Sequence, residues 1–138
     1  MDLHNNIKYV VAVQPYDPSA TGTKTGIVID RSGFDDVEFV HAVGAIAATA
    51  FTATPVIFEG AATGSLTSVA DGDLIGTEVG ARLSGGTTDN KTGKVGYRGT
   101  KRYVRMDLIV AGAATGFHAA LCALGGQSKG PQSTQAPI

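Results

Sequence analysis

The sequence predicts an all-β domain, an antiparallel β-sandwich with jelly-roll-like or other Greek-key wiring, and three observations carry that prediction. Apolar residues alternate with period two instead of recurring at helical spacing. β-Branched and aromatic residues gather in short runs of the kind strands favour. Turn residues punctuate those runs, and Gly alone supplies 19 of the 138 residues. A closed β-barrel satisfies the same pattern and stands second. The pattern yields about seven to nine strands.

Residues 7–13, with Ile7, Tyr9, Val10, Val11 and Val13, read as the first strand. Pro15, Pro18 and Gly22 make 14–22 a loop. A second strand is expected over 24–30, around Ile27-Val28-Ile29, and a turn over 31–36. In the third, 37–43, neither alternate set is purely polar, which predicts partial cover on both faces. The strand over 51–60 contains Pro55, which lacks a ladder donor and so predicts an edge or a bulge there. Small residues make 61–72 a loop with a short turn around 66–69. Asp71–Gly76 reads as a loop tip leading to a strand over 78–83, followed by a turn region at 84–90. Val95 and Tyr97 alternate with Lys94 and Arg98 in a strand over 93–99. In the next, 102–110, Tyr103 and Arg105 share one face while Arg102, Val104, Met106 and Leu108 share the other. Segment 117–125 is Ala-rich enough for a helix, but it is short, bounded by Gly116 and Gly125, and continues the strand-and-turn rhythm, so a strand is expected.

A mass of 14.0 kDa fits a single domain. Its expected organisation is an N-terminal arm (1–6), a sandwich (7–126) and a flexible, Pro-, Gln- and Ser-containing tail (127–138). Charged residues reach only 17%, too few for a disordered polyampholyte, and the scarcity of Leu, Glu and Lys argues against a coiled coil. The opening residues lack the basic and apolar regions of a signal peptide. No apolar run approaches the length of a membrane span; the longest weakly apolar stretch, 42–53, is Ala- and Thr-rich and too short. One cysteine excludes an intrachain disulfide. The net charge is −1, yet residues 1–80 hold ten acids and three bases, and residues 81–138 two acids and eight bases. Such a split orients docking if the two halves stay apart in space, and intermixes if they fold together.

Catalytic chemistry finds little material. His4, His41 and His118 are present, but there is no Gly-x-Ser-x-Gly elbow, and Cys122 lies in the apolar run Leu121-Cys122-Ala123-Leu124, where a thiol behaves as a small hydrophobe. No His pair has metal-ligand spacing, and Asp71-Gly72-Asp73 lacks the rest of a calcium loop. Gly93-Lys94-Val95-Gly96 does not open a helix, so it implies no phosphate cradle, and the adjacent Asp35 and Asp36 point to opposite faces of an extended chain. Neither an enzyme nor a metal or other cofactor is expected. A carbohydrate-binding sandwich would want a broader aromatic platform than four Tyr, five Phe and no Trp.

The most distinctive feature is a basic run. Lys91, Lys94, Arg98, Lys101, Arg102 and Arg105 are six of the eleven bases, with no acid among them and with Tyr97 and Tyr103 interleaved. Three readings compete: a solvated strand pair salt-bridged to the acidic first half, a protein interface anchored by Tyr and Arg, and, against a pI near 6.2, a nucleic-acid surface. The candidate contact residues are Tyr97, Arg98, Lys101, Arg102 and Arg105, together with the arm residues Asp2, Leu3, His4, Asn5 and Asn6. The arm has the polarity to add a strand to a partner or lie across one.

Three stretches, MDLHNNIK at 1–8, IDRSGFDDVEFV at 29–40 and DNKTGKVGYRGTKRYVR at 89–105, resemble small structural proteins encoded by tailed phages and prophages. Within that group the chain looks most like a head decoration, or cement, protein. The resemblance implies a compact β-domain, trimeric self-association, and clamping of the major capsid protein lattice at the capsid surface of a virion, after synthesis in the host bacterial cytoplasm. With no long apolar run, no membrane partner is expected. A head–tail connector or a minor tail or spike protein is the alternative, and a small β-barrel nucleic-acid binder a further one.

Overall fold

A computed structural model of the chain describes residues 2–46, 50–85, 90–112 and 116–127. The expectations that fall on residue 1, on 128–138 of the tail, and on 47–49, 86–89 and 113–115 lie outside these residues.

Among the described residues the chain forms a helical turn α1 (Leu3–Asn6), then β1 (Lys8–Tyr16), β2 (Gly22–Lys24), β3 (Ile29–Asp30), β4 (Phe34–Val43), β5 (Thr52–Gly60) and β6 (Thr67–Ser68). A 3-10 turn at Asp71–Asp73 leads to β7 (Leu74–Ile75), β8 (Leu83–Ser84), β9 (Lys91–Tyr97), β10 (Tyr103–Ala111) and β11 (His118–Gln127). One sheet has the order β1-β11-β4-β9-β7. The other has the order β2-β10-β5-β6, with β3 also pairing β10 and β8 pairing β5. Every pairing is antiparallel, and the two sheets form a β-sandwich.

Period-two alternation builds the core. Val37 and Phe39 of β4, Val95 and Tyr97 of β9, and Cys122 and Leu124 of β11 meet Ile57 of β5 and Val104, Met106 and Leu108 of β10. Burying each large apolar side chain contributes about 1.5–3 kcal/mol. A second cluster of Val43, Ile46, Phe51, Ala53, Leu83 and Val110 closes one end. The strand expected over 117–125 is present as β11, which starts at His118 and runs past the expected border at Gly125 through Gln127, the residue at which the tail was expected to begin.

Pro55 sits at a local edge. β8 pairs with β5 only at Thr52 and Ala53, and β6 only at Phe58 and Glu59. Two residues along, the Ile57 N–H takes the Glu78 carboxylate at 2.7 Å in place of a strand partner. Pro15 is accommodated differently: β1 continues to Tyr16 through register shifts after Val11 and Val13.

Four expectations need correction. The described residues alone form eleven strands, more than predicted, because several are two- or three-residue pairings too short to leave a pattern. Residues 25–28 do not continue a strand. The Gly26 N–H donates to Asp107 Oδ1 at 3.0 Å and the Ile27 N–H to the Ala12 carbonyl of β1 at 2.8 Å, so the chain leaves one sheet to touch the other's edge. The strand expected at 78–83 is a turn wound on Thr77, whose Oγ1 accepts from Gly80 N at 2.9 Å and whose carbonyl accepts from Ala81 N at 3.1 Å. The turn expected over 31–36 is tighter, because Gly33 at φ 89° and the Phe34 N–H···O=C Arg31 bond of 3.0 Å reverse the chain by Phe34.

Candidate functional site

The arm folds on itself and does not extend. Asp2 caps α1: its Oδ1 accepts from His4 N at 2.9 Å, and its Oδ2 from the Asn5 amide. The Asn5 hydrogen bond is the main cause holding the Asp2 carboxyl below its ordinary range. The Gln127 amide, at the end of β11, donates to the Asn5 carbonyl at 3.1 Å and so ties the turn to the sandwich. Leu3 is left 56% exposed. A strand-adding arm would first have to give up these contacts.

The basic run does not form one comb of free cations. Lys91 and Lys94 lie on β9 in one sheet, whereas Arg105 lies on β10 in the other. Arg102 makes a two-point contact with Asp30, Nε–Oδ1 at 3.0 Å and Nη2–Oδ2 at 2.8 Å, and stacks over the Tyr103 ring. Arg105 does the same with Asp107, at 2.8 and 3.0 Å, over the Phe58 ring. Lys94 approaches Glu38 at 3.9 Å. Arg98 donates to the Gly72 carbonyl at 3.1 Å, and Lys101 is exposed. Asp30 and Glu38 belong to the acidic first half, so folding intermixes the charges that the sequence separates.

Tyr97 is 1% exposed, so its ring offers no surface for a stacked base or a partner. Its hydroxyl donates to Glu59 Oε2 at 2.5 Å and accepts from the Lys101 N–H at 3.0 Å. Burial, with Glu59 beside it, pushes this phenol up to about 12. Residues 98–101 wrap the ring so closely that a Cβ on Gly99 would lie 2.5 Å from the hydroxyl oxygen. The residue that organises this wrap is Arg31, which sequence reasoning passed over. Its guanidinium donates to the carbonyls of Lys101 at 2.6 Å, Gly99 at 2.9 Å and Phe34 at 3.1 Å.

The structure brings part of the arm and part of the basic run to one groove. Asn6, Ile7 and Arg98 line a cavity of about 570 Å³ together with Asp36, Glu38 and Ile75. Lys101, Arg102 and Arg105 are not among its lining residues. The groove opens on the outer face of the five-stranded sheet, where register sets a row Tyr9–Ala123–Glu38–Gly96–Ile75 across all five strands. The next row is Val11–Leu121–Val40–Lys94. Tyr9 is 54% exposed, Leu121 48% and Ile75 58%. Contiguous exposed apolar side chains of this kind mark an interaction surface more often than scattered ones do. The strand alternation held this signal, since Val11, Val40 and Leu121 are the outward set of their strands.

The second missed feature is buried. His41 Nδ1 lies 2.9 Å from His118 Nε2, His41 Nε2 lies 2.5 Å from the Ala81 carbonyl, and the Tyr16 hydroxyl lies 3.2 Å from His118 Nδ1. Both rings are essentially fully buried. Burial lowers both histidines, and with His41 alongside it His118 is pushed down to about 3. Cys122 is likewise buried, which pushes its thiol up to about 12 and leaves it a poor nucleophile. Among the described residues no group of three or more His, Cys, Asp or Glu side chains is placed to hold a metal ion, and no helix is long and apolar enough to cross a membrane.

No protein-family model matches the chain, and no curated protein matches it in sequence. Solved structures match it in fold. The PBSX exported protein XepA superposes with a TM-score of 0.57 at 13% identity, over 95% of this chain and 42% of XepA. The chain thus spans less than half of that protein's length. The SPBc2 prophage-derived protein YomS superposes with a TM-score of 0.49 at 13% identity, over 86% of this chain and 92% of YomS. At such identity the likeness to XepA is one of fold: this sandwich is a fold that the exported protein XepA also uses.

Proposed function

We propose that the chain is a structural protein of a tailed-phage or prophage particle, and within that class a decoration protein that seats on the major capsid protein lattice. The observation that carries the reading is the apolar outer face of the five-stranded sheet, where Tyr9, Val11 and Leu121 stand exposed beside the groove bordered by the arm and Arg98. A face of this kind suits docking against a repeated protein surface. The resemblance of residues 1–8, 29–40 and 89–105 to small virion proteins supports it, and so does the fold shared with the PBSX exported protein XepA.

The role is non-catalytic. The one cysteine is buried, the two buried histidines use all four ring nitrogens on structural partners or each other, and each carboxylate contacting Arg102 or Arg105 is taken up in a two-point pair. Clamping works through many weak patches whose avidity rises when neighbouring sites are filled, and self-association as a trimer would supply those patches in a fixed array.

Binding to purified capsid shells tests the reading. Leu121→Asp, at the centre of the apolar face, is expected to fold and to lose capsid occupancy at least tenfold. Lys91→Ala, away from that face's centre, is expected to bind like the parent. Equal binding by both variants and the parent contradicts the assignment of this face.

A further inference from the structure

We propose that the chain Tyr16–His118–His41–Ala81 is an acid-sensitive latch that holds one end of the sandwich shut. It goes beyond any docking role and stands on the direction of its hydrogen bonds. The Ala81 carbonyl can only accept, so His41 Nε2 carries a proton. In the neutral ring His41 Nδ1 then accepts, so His118 Nε2 donates across the 2.9 Å gap. His118 Nδ1 is left as an acceptor, which the Tyr16 hydroxyl satisfies. One proton arrangement satisfies every atom, and both rings in it are neutral.

An added proton has two places to go. On His41 Nδ1 it sets one N–H against another across the 2.9 Å contact. On His118 Nδ1 it requires the Tyr16 hydroxyl to turn and accept, and it leaves a cation inside an apolar cluster beside Phe51. Each element around the pair offers little to stabilise that charge. Tyr16 comes from β1, and the Lys24 ammonium of β2 stands 5.2 Å from the Tyr16 ring, adding like charge. Asp17, next in the chain, accepts from the Gly116 N–H at 3.3 Å. Beyond Ala81, the Arg82 guanidinium turns to Thr54 Oγ1 at 2.8 Å. From β9, Gly93 packs so tightly that a Cβ there would lie 2.2 Å from the Ala81 oxygen and 2.7 Å from His41 Nε2.

The latch joins four pieces: the end of β1, the end of β4, the start of β11 and the turn before β8. Protonation therefore loosens this end while the cluster around Phe39, Met106 and Leu124 stays closed. Both histidines are lowered on folding, so the unfolded chain binds protons first. Above an ordinary histidine value of about 6.5 both states are neutral and the latch is intact. As pH falls from there toward about 3, the value of folded His118, stability is progressively lost.

Hydrogen exchange of the whole chain between pH 7.5 and 5, corrected for intrinsic rates, tests the latch. Opening of peptides covering 40–43, 78–83 and 118–121 is expected to rise by about tenfold per pH unit below 6.5 for each proton taken up. The opposite end, around 36–38 and 123–126, is expected to keep its protection. The double variant His41→Leu/His118→Phe is expected to lose that slope. Retention of the slope in the double variant, or equal acid opening of all strands, overturns the proposal. If the double variant does not fold, imidazole nitrogen NMR of the parent decides. Two neutral rings, each with its proton on Nε2 while the protein is folded, support the latch. A ring that titrates near 6.5 without local opening overturns it.

Discussion

The Tyr97 hydroxyl of β9 donates to the Glu59 carboxylate of β5 at 2.5 Å, a hydrogen bond that spans from one sheet of the sandwich to the other. The same oxygen accepts the Lys101 N–H at 3.0 Å and so pins the loop that carries half of the basic run. Tyr97→Phe keeps the buried ring but removes both bonds. It is expected to cost about 1–3 kcal/mol, because a backbone donor and a carboxylate lose their partner. Urea unfolding should show a lower midpoint with an unchanged slope. An unchanged midpoint would mean that the inter-sheet bond contributes nothing.

Arg31 and Arg102 give a contrast. Arg31 binds three backbone carbonyls at 3.1 Å or closer, and its guanidinium lies 5.3 Å from the Tyr97 ring centre. Arg102 pairs with Asp30 on the surface, where the two side chains are 56% and 42% exposed. Arg31→Ala should therefore lose about 2 kcal/mol, and Arg102→Ala distinctly less, since its pair stands in solvent. Thermal unfolding of the two variants in parallel checks the order. The Arg102 loss should shrink further in high salt.

Gly93 and Gly64 test packing around the buried histidines. A Cβ at Gly93 collides with the Ala81 oxygen and approaches His41, whereas one at Gly64 has nothing within 4 Å. Gly93→Ala is expected to destabilise by about 1–3 kcal/mol through overpacking. Gly64→Ala should stay within about 0.5 kcal/mol of the parent. Equal melting temperatures for the two variants would contradict the crowding at Gly93.

Cys122 is expected to ignore thiol reagents in the native state. It is fully buried and its thiol is pushed up to about 12, so the reactive thiolate is scarce at pH 8. Ellman's reagent should titrate one thiol in denaturant and almost none in buffer. Rapid native reaction would place the sulfur at the surface.

The strands whose neighbours in sequence set their faces were readable. β10 announced itself through Val104, Met106 and Leu108, because period two follows directly from the pleat, and β11 through its short length after Gly116. The segment at 25–28 was not readable, because its detour depends on the Asp107 side chain, 81 positions beyond Gly26. His41 and His118 stand 77 positions apart, and only the β4–β11 register places them side by side. Tyr97 shows how two signals compete. Its alternation with Val95 pointed inward, yet its basic neighbours suggested a surface, and burial followed the alternation. The groove was legible only in halves: Asn6 and Arg98 were chosen for polarity and charge, and folding set them along one cavity. The apolar outer face lay in the sequence as the second alternate set of β1, β4 and β11, hidden because a strand pattern does not say which face meets the other sheet.

Locating the chain in a phage particle decides whether it has a structural place there. Cryo-electron microscopy of purified particles, with quantitative mass spectrometry of their proteins, reads both position and copy number. Many copies are expected at symmetry positions on the head lattice, with Tyr9, Val11 and Leu121 turned toward a protein neighbour. A few copies at the neck or tail would replace the decoration role with a connector or tail role. Absence of the chain from the particle would contradict a virion function altogether.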